Sequence, residues 1–415
     1  MVSGGSTPYY SDLYHERVPS ISGLATAKQC LAERFSVTVF EAHDNIGGQW
    51  YYEEPDPATS EVQSSIYEGT ISNTCRDTSS FISHDYADYF GLKEHILFNT
   101  RVVSCQQVED NRWKIKYTTE QEKPTETVYD ALLVCSGKST KPHIPTFRGM
   151  EEGFSGKRVA IIGFGNLAAD VASEICGQTE ECHLVTRRGG PVLAIGAPGV
   201  HLEMVPDNTR PARGGKIVTT GDDILGANPA IHSSLIENIK VGRITPHRAS
   251  VGEITATGLS LTNGETIDNL DAIILCTGYD IDYPFISDNC YCSKHSKFMD
   301  SRNSVHLYRL TVPHVRNLFI MGVFQLPGPI QPAVELQARW VTAILTGRIM
   351  LPPAGRMSEL IASEEEEGGR QWIHSDRHTV FAHFLPYCDS LANDLGAAPI
   401  FRRRLLRIFT SNPIE

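Results

Sequence analysis

One stretch decides the fold: Lys157-Arg158-Val159-Ala160-Ile161-Ile162-Gly163-Phe164-Gly165-Asn166-Leu167-Ala168. Its β-branched run predicts a buried parallel strand, and the glycines after it predict a tight turn. Apolar and small residues recur at helical spacing from Asn166 to Ile175, and residues 182–186 are typical of the next strand. This order predicts a βαβ unit whose helix N-terminus points at the turn, where it favours a pyrophosphate.

Two patterns of this kind lie on the chain, and they end in opposite charges. The first runs from Ser22-Gly23-Leu24 through the apolar run Val37-Thr38-Val39-Phe40 to Glu41, and the second ends at Arg187-Arg188. A carboxylate at this place accepts hydrogen bonds from a ribose 2′-hydroxyl, whereas an arginine faces a 2′-phosphate. The sequence therefore predicts one site for a dinucleotide with a free 2′-hydroxyl, such as FAD, and one for an NADP-like dinucleotide. The plainer interpretations are a solvent-facing carboxylate at position 41 and an exposed strand end at positions 187 and 188.

Length and composition bound the class of protein. With 415 residues the chain is long enough for two lobes, and 41% apolar with 21% charged residues is typical of a soluble globular protein. The net charge of -12 argues against nucleic acid as a partner. No stretch approaches the roughly 18 apolar residues that span a bilayer, and the N-terminal residues lack the apolar run of a signal peptide. The ten cysteines are scattered, as in a reducing compartment, so we expect a cytoplasmic protein without a transmembrane segment.

A near-repeat indicates where the lobes end. Residues 130–137 and 271–278 are both buried runs that finish in a hydroxyl residue and a glycine, although two similar core strands without a shared role would look the same. We expect a FAD-binding domain to begin in residues 1–150, an NADP-binding domain to occupy 151–280, and residues 281–415 to return to the first domain with C-terminal helices. The predicted fold class is α/β, with two Rossmann-like dinucleotide-binding domains, the second inserted in the first. Alternating polar and apolar residues predict small antiparallel excursions of the chain in 110–130 and 250–270.

Several motifs together resemble one protein family. The run Glu41-Ala42-His43-Asp44-Asn45-Ile46-Gly47-Gly48-Gln49-Trp50 is similar to the flavin-containing monooxygenases, a group of class B flavoprotein monooxygenases. Further matches follow in the family's order, and the resemblance covers most of residues 22–400. These matches are Ser65-Ile66-Tyr67, Ser72-Asn73-Thr74, Gly163-x-Gly165-Asn166, Cys276-Thr277-Gly278-Tyr279, Leu307-Tyr308-Arg309 and Glu335-Leu336-Gln337-Ala338-Arg339-Trp340.

The resemblance implies an NADPH-dependent, FAD-containing monooxygenase. In this family NADPH delivers hydride to the flavin, and the reduced flavin captures O2 as a hydroperoxide. One oxygen atom then passes to a nitrogen or sulfur of a small-molecule substrate, or to a carbonyl in a Baeyer–Villiger variant. The cofactor supplies the hard chemistry, which suits a sequence without a hydrolase motif. A role in the secondary metabolism of a small natural product fits such a protein, but no motif assigns a substrate or an oligomeric state.

The two patterns and the resemblance together predict the site residues. For catalysis we single out Asn73, because the matching asparagine of the family lies at the flavin and nicotinamide and helps to hold the oxygenated flavin. An amide donates and accepts hydrogen bonds without a charge, although the sequence alone makes Asn73 a turn residue. The predicted cofactor contacts are Gly23, Glu41, Gly47, Gly48, Gln49, Trp50, Ser72, Asn73, Thr74, Gly163, Gly165, Asn166, Leu167, Ala168, Ala169, Asp170, Arg187, Arg188, Thr277 and Gly278. We assign no metal ligand, because a solvated helix face explains the spacing of His374, Asp376, His378 and His383.

The chain departs from the family at its first glycine motif. Val18 and Ser20 occupy the first two glycine positions, so that only Gly23 remains. Side chains there obstruct the tight turn and the close approach to a pyrophosphate that glycines allow. The segment between Gly149 and Phe154 is also shorter than in the family, as is Ser79–Tyr89. Two alternatives therefore accompany the monooxygenase: a related protein that keeps the fold but has lost FAD binding and turnover, and a flavin reductase that inserts no oxygen.

Overall fold

The chain forms two compact units. The computed structural model describes residues 21–46, 48, 85–119, 123–138, 141–142, 156–193, 202–204, 230–286, 304–326, 328–371 and 379–398. The first unit comprises residues 1–138, 283–365 and 380–415, and the second comprises 139–282 and 366–379. Among the described residues, no helix combines the length and the apolar character that a membrane crossing requires.

The first unit contains two parallel strand pairs and an antiparallel sheet. Its strands are β1 (Val39–Phe40), β2 (Ile96–Leu97), β3 (Thr100–Gln107), β4 (Trp113–Thr119), β5 (Thr125–Tyr129), β6 (Leu132–Val134) and β19 (Leu318–Ile320). β1 pairs with β2 and β6 pairs with β19, both in parallel, while β3, β4 and β5 form the antiparallel sheet. Every residue of β6 and β19 is buried, as the apolar runs of parallel strands require. β1 is shorter than the predicted run 37–40, because only two of its residues face β2.

Helices pack the core of the first unit. They are α1 (Ile21–Ala32), α2 (Asp85–Tyr89), α5 (Ile330–Leu345), most of α6 (Ala354–Gln371) and α7 (Phe384–Asp394), and two 3₁₀ turns occupy Lys93–His95 and Glu109–Asn111. A hydrogen-bonded ion pair joins α1 to α5, because Lys28 Nζ lies 2.9 Å from both carboxylate oxygens of Glu335. The hydroxyl of Tyr86 donates to the same carboxylate at 2.6 Å. The buried charge of Glu335 is thus compensated on two sides.

The second unit is built on a parallel sheet that carries the predicted βαβ unit. The sheet contains β8 (Arg158–Ile162), β9 (Glu181–Thr186), β13 (Thr245–Arg248) and β17 (Ala272–Leu275), in the spatial order β13-β9-β8-β17. Between β8 and β9 runs α3 (Asn166–Ile175), with the bounds that the sequence predicts. Its buried face consists of alanines (Ala168, Ala169 and Ala172), so that the helix lies close to the sheet. The α/β class with two Rossmann-like units, the second inserted in the first, is confirmed.

Smaller elements complete the second unit. They are β7 (Lys141–Pro142), β10 (Pro191–Leu193), β11 (Leu202–Met204), β12 (Ala230–Ile231), α4 (Leu235–Lys240), β14 (Val251–Ile254), β15 (Gly258–Leu261), β16 (Thr266–Asp268) and β18 (Tyr279–Asp280). β14, β15 and β16 form the antiparallel excursion expected for 250–270, with its turn at Asn263-Gly264. β10 pairs with β11 and β12, and β7 pairs with β18.

The alanine face of α3 sets a limit on side-chain volume that stability measurements can test. Ala172 is fully buried against the sheet, so Ala172→Leu forces extra methyl groups into a packed core. We expect the free energy of unfolding in urea to fall by about 1–3 kcal/mol. The matched control is Glu174→Leu on the exposed side of the same helix, which should change it by less than about 0.5 kcal/mol. Equal effects of the two substitutions would show that α3 does not pack as described.

Candidate functional site

The glycine turn of the second unit is closed by its neighbour strand. Gly163 follows β8 with a φ of +131°, a conformation that side chains rarely allow. A Cβ at this position would lie 2.2 Å from the carbonyl oxygen of Cys276, the residue after β17. Gly165 then forms the N-cap of α3, whose first turn holds no acidic residue. The backbone N–H groups in the first turn of α3 are therefore not compensated by an acidic side chain. Such a helix N-terminus is suited to bind a phosphate.

The predicted contacts in α3 divide between core and edge. Ala168 and Ala169 are buried against the sheet, and Leu167 is half-buried beside them. Asn166 uses its Oδ1 to accept the backbone N–H of Ile231 at 2.9 Å, so its side chain holds β12. Asp170 lies 3.5 Å from Nε2 of His232. Asn166 and Asp170 thus have partners within the protein. Their predicted contacts with the cofactor stay predictions.

The two arginines lie on a turn next to the glycines. Arg187 and Arg188 follow β9 and are both exposed. The side-chain oxygen of Thr186 accepts the backbone N–H of Gly189 at 3.0 Å and closes the turn around them. Gly190 lies against the ring of Phe164, within the glycine turn. Thr277 and Gly278, with a φ of +92°, continue from Cys276 on the other side. The structure therefore brings the predicted glycines, arginines and Thr277-Gly278 to one edge of the sheet.

A row of hydrogen bonds crosses the strands that lead to this edge. Nδ1 of His183 lies 3.1 Å from Nε2 of His247, and the outer ring nitrogens face Glu181 at 3.2 Å and Glu265 at 3.1 Å. Carboxylates only accept, so each outer nitrogen donates to its glutamate. Burial lowers the pKa of His183, and the hydrogen bond to Glu181 opposes this shift.

Glu41 is the buried carboxylate of the first unit. It follows β1, is fully buried, and is fixed by its backbone, since its N–H donates to Leu97 and its carbonyl accepts from Thr100. Oε1 accepts the N–H of His43 at 3.1 Å, whereas Oε2 has no hydrogen-bond partner within the structure. Burial raises the pKa of this carboxyl to about 7. An unpartnered buried oxygen calls for a donor that the described residues do not supply, and a ribose hydroxyl is such a donor.

The remaining predicted residues have different outcomes. Gly23 lies buried in the first turn of α1, and Gly48 is buried with a φ of +52°. Other predicted residues lie outside the described part of the chain, so their roles stay predictions: Gly47, Gln49, Trp50, Ser72, Asn73 and Thr74. The family departures at Val18 and Ser20, and His374, Asp376 and His378, also lie outside it.

Sequence reasoning missed several residues that shape this site. Thr186 and Gly189 carried a usable signal, because a hydroxyl residue at the end of a strand, shortly before a glycine, can close a turn with its side chain. No sequence signal indicated the contact of Phe164 with Gly190 or the hydrogen bond between His183 and His247. Both join residues that are distant in sequence, and only the register of the strands brings them together.

Comparisons with known proteins agree on one family. A family model described as flavin-binding monooxygenase-like matches residues 18–207 and 218–411. Flavin-containing monooxygenase 5 of Oryctolagus cuniculus is 29% identical over 450 residues, which cover 91% of this chain and 81% of that protein. The structure of S-allyl-L-cysteine S-oxygenase from Allium sativum matches with a TM-score of 0.66 and 22% identity, over 96% of this chain and 92% of that chain. Cyclohexanone monooxygenase from Rhodococcus sp. Phi1, bound to NADP+, matches with a TM-score of 0.61 and 14% identity, over 95% and 97%.

The closure of the glycine turn by Cys276 can be tested by adding one methyl group. Gly163→Ala combines a disfavoured φ with a clash against a backbone carbonyl, so we expect the free energy of unfolding to fall by more than about 2 kcal/mol. Gly177→Ala is the matched control, because its Cβ would meet nothing within 4 Å. That variant should stay within about 0.5 kcal/mol of the native protein. A Gly163→Ala protein as stable as the control would contradict the described turn.

The lowered pKa of His183 predicts how stability depends on pH. Its folded pKa lies below the ordinary 6.5, so the unfolded chain binds a proton that the folded protein resists. Its stabilising contribution is therefore complete above about pH 6.5 and is lost as the pH falls below that value. We expect urea unfolding of the native protein to show a steeper loss of stability from about pH 7 to about 5.5 than unfolding of His183→Gln. The two slopes should coincide above about pH 7.5; parallel slopes throughout would mean that His183 titrates alike in both states.

Proposed function

The chain belongs to the flavin-binding monooxygenase-like family and is an oxidoreductase that uses FAD and NADP, and on that premise we propose that it transfers one oxygen atom of O2 to a nitrogen or sulfur of a small organic substrate. The observation that carries the proposal is the pair of unlike sites: a buried acid with an unpartnered oxygen, and an exposed arginine pair beside a glycine turn. Oxygenation of a carbonyl, of the Baeyer–Villiger type, is the alternative outcome of the same chemistry.

The first unit is proposed to hold FAD. Oε2 of Glu41 accepts hydrogen bonds from the adenosine ribose, which supplies the donors that the buried oxygen lacks. Gly23 lies in the first turn of α1, where the helix N-terminus faces the pyrophosphate, and Gly48 gives the backbone close approach to the cofactor. From the family resemblance we further propose Gly47, Gln49, Trp50, Ser72, Asn73 and Thr74 as contacts of the flavin. The residues present thus fit the group.

The second unit is proposed to hold NADP. The turn Gly163–Gly165 and the backbone N–H groups of α3 bind the pyrophosphate, because no side chain caps this helix. Arg187 and Arg188 bind the 2′-phosphate by charge-assisted hydrogen bonds. Thr277 and Gly278 border the same edge. The structural boundaries of this unit, 139 and 282, support a domain near the predicted 151–280 for this coenzyme.

The protein's part in the reaction is placement and protection. Bound FAD would supply the chemistry of hydride acceptance from NADPH and of O2 activation. Asn73 is proposed to orient the reacting cofactor by donating and accepting hydrogen bonds without a charge that would attract water. Glu41 and the arginine pair fix the adenosine ends, and this orients the reacting ends.

Two carboxylates in one loop allow a direct test of the FAD site. Glu41→Gln removes the charge of the buried acceptor, so we expect the Kd for FAD to rise by about tenfold and the Kd for NADP+ to stay unchanged. Asp44→Asn, three residues later on an exposed side chain, is the matched control and should bind FAD as the native protein does. Both constants are measured by fluorescence quenching and calorimetry. Equal affinity of Glu41→Gln and Asp44→Asn for FAD would remove Glu41 from the site.

The reaction itself is tested with labelled oxygen. The purified protein incubated with FAD should show a flavin absorption spectrum, and in the presence of ¹⁸O2 it should oxidise NADPH with one labelled atom in the product. Amine, thioether and ketone substrates separate the two kinds of oxygenation. A protein that stays colourless with FAD favours the loss of flavin binding through Val18 and Ser20. Substrate-dependent NADPH oxidation without label in the product favours a reductase.

A further inference from the structure

Thr186 lies at the start of the turn that carries Arg187 and Arg188 (the arginine turn). It is the last residue of β9, its backbone lies opposite Arg248 of β13, and its side chain is 3% exposed. Its hydroxyl oxygen accepts the N–H of Gly189 at 3.0 Å. The bond spans Arg187 and Arg188 and makes them the two central residues of a closed turn.

The exit of the turn is fixed as well. Gly189 has a φ of +70°, which lets the chain reverse directly after Arg188. Gly190 then lies so close to Phe164 that an added Cβ would come within 2.7 Å of its ring. The arginine turn is therefore anchored on the strand at one end and on the glycine turn at the other.

The arginine side chains have no competing partner among the described residues. Both are exposed, and neither forms an ion pair or a hydrogen bond with the part of the chain that the structure describes. An arginine side chain loses rotamer freedom when it binds a phosphate. A backbone that is fixed beforehand lowers the conformational entropy lost on binding. The geometry of the backbone at Arg187 and Arg188 thus decides how well two guanidinium groups can meet one phosphate.

We propose that Thr186 is the positioning residue that gives this site its preference for a 2′-phosphorylated adenosine. This inference rests on the proposed binding of NADP by the second unit. Thr186 touches no phosphate itself, and its hydroxyl acts by holding the turn that presents Arg187 and Arg188. Removal of the hydroxyl leaves both cations in place but takes the acceptor from the Gly189 N–H, so the turn opens and the backbone of the two arginines is no longer fixed.

Two substitutions separate the hydroxyl from the rest of the side chain. Thr186→Val keeps the volume and loses the acceptor, whereas Thr186→Ser keeps the acceptor. The probes are 2′,5′-ADP, which carries the 2′-phosphate, and 5′-AMP, which lacks it, and both are titrated by calorimetry without reference to turnover. We expect Thr186→Val to bind 2′,5′-ADP about five- to tenfold more weakly and 5′-AMP unchanged. Thr186→Ser should behave as the native protein.

The outcomes distinguish this inference from the function on which it rests. If the native protein binds 2′,5′-ADP no better than 5′-AMP, the proposed NADP site itself fails. If the native protein and Thr186→Val prefer 2′,5′-ADP equally, the NADP site stands and the role of Thr186 is wrong. Hydrogen exchange of the Gly189 amide gives a second readout and should accelerate in Thr186→Val alone.

A second variant keeps the inference testable if Thr186→Val does not fold. Gly189→Ala retains the hydroxyl but strains the positive φ that the turn needs. It should lose the preference for 2′,5′-ADP while its affinity for 5′-AMP stays native. A Gly189→Ala protein with the native preference would show that the closed turn does not set it.

Discussion

The carbonyl oxygen of Cys276 against Gly163 is the constraint on which the second unit depends. β8 and β17 are adjacent parallel strands in register, so the chain leaves both at the same edge with no room for a side chain between them. Only a glycine with a positive φ turns the chain there and starts α3 close to the sheet. The short distance between helix and sheet in turn requires the alanines of the buried face. Strand pairing, turn, helix placement and the position of the proposed phosphate site therefore follow from one contact.

The adenosine sites proposed for the two units would recognise their ligands in opposite ways. In the first unit the Glu41 carboxyl is buried, and burial raises its pKa. Hydrogen bonds donated by ribose hydroxyls would offset the free-energy cost of burying its unpartnered oxygen. In the second unit the guanidinium groups stay in water until a ligand arrives, and the protein fixes only their backbone. A hydroxyl is neutral and needs an acceptor free of water, whereas a phosphate is charged and is attracted by exposed cations.

The sequence predicts the elements of the second unit well because their signals are local. Glycines after a β-branched run and small residues at helical spacing locate α3 at Asn166–Ile175, and Asn263-Gly264 locates a hairpin. The site is predicted less completely. The strand ends locate Arg187 and Arg188 directly after β9, and their role stays a prediction. The hydroxyl of Thr186, the ring of Phe164 and the paired histidines act through rotamers and strand register, which periodicity does not encode. In the first unit β1 is shorter than its apolar run, because its pairing partner sets its length.

The ion pair between Lys28 and Glu335 carries a consequence for the order of assembly. Its two residues are 307 positions apart, and the whole second unit except residues 366–379 lies between them in sequence. During synthesis the chain leaves the ribosome from its N-terminus, so Glu335 is translated after Lys28 and Tyr86. The ammonium and the hydroxyl therefore lack their shared carboxylate until late in synthesis. The inserted unit, by contrast, has its complete parallel sheet as soon as β17 has emerged. The nascent chain thus holds the complete parallel sheet of the second unit while the first unit is still incomplete.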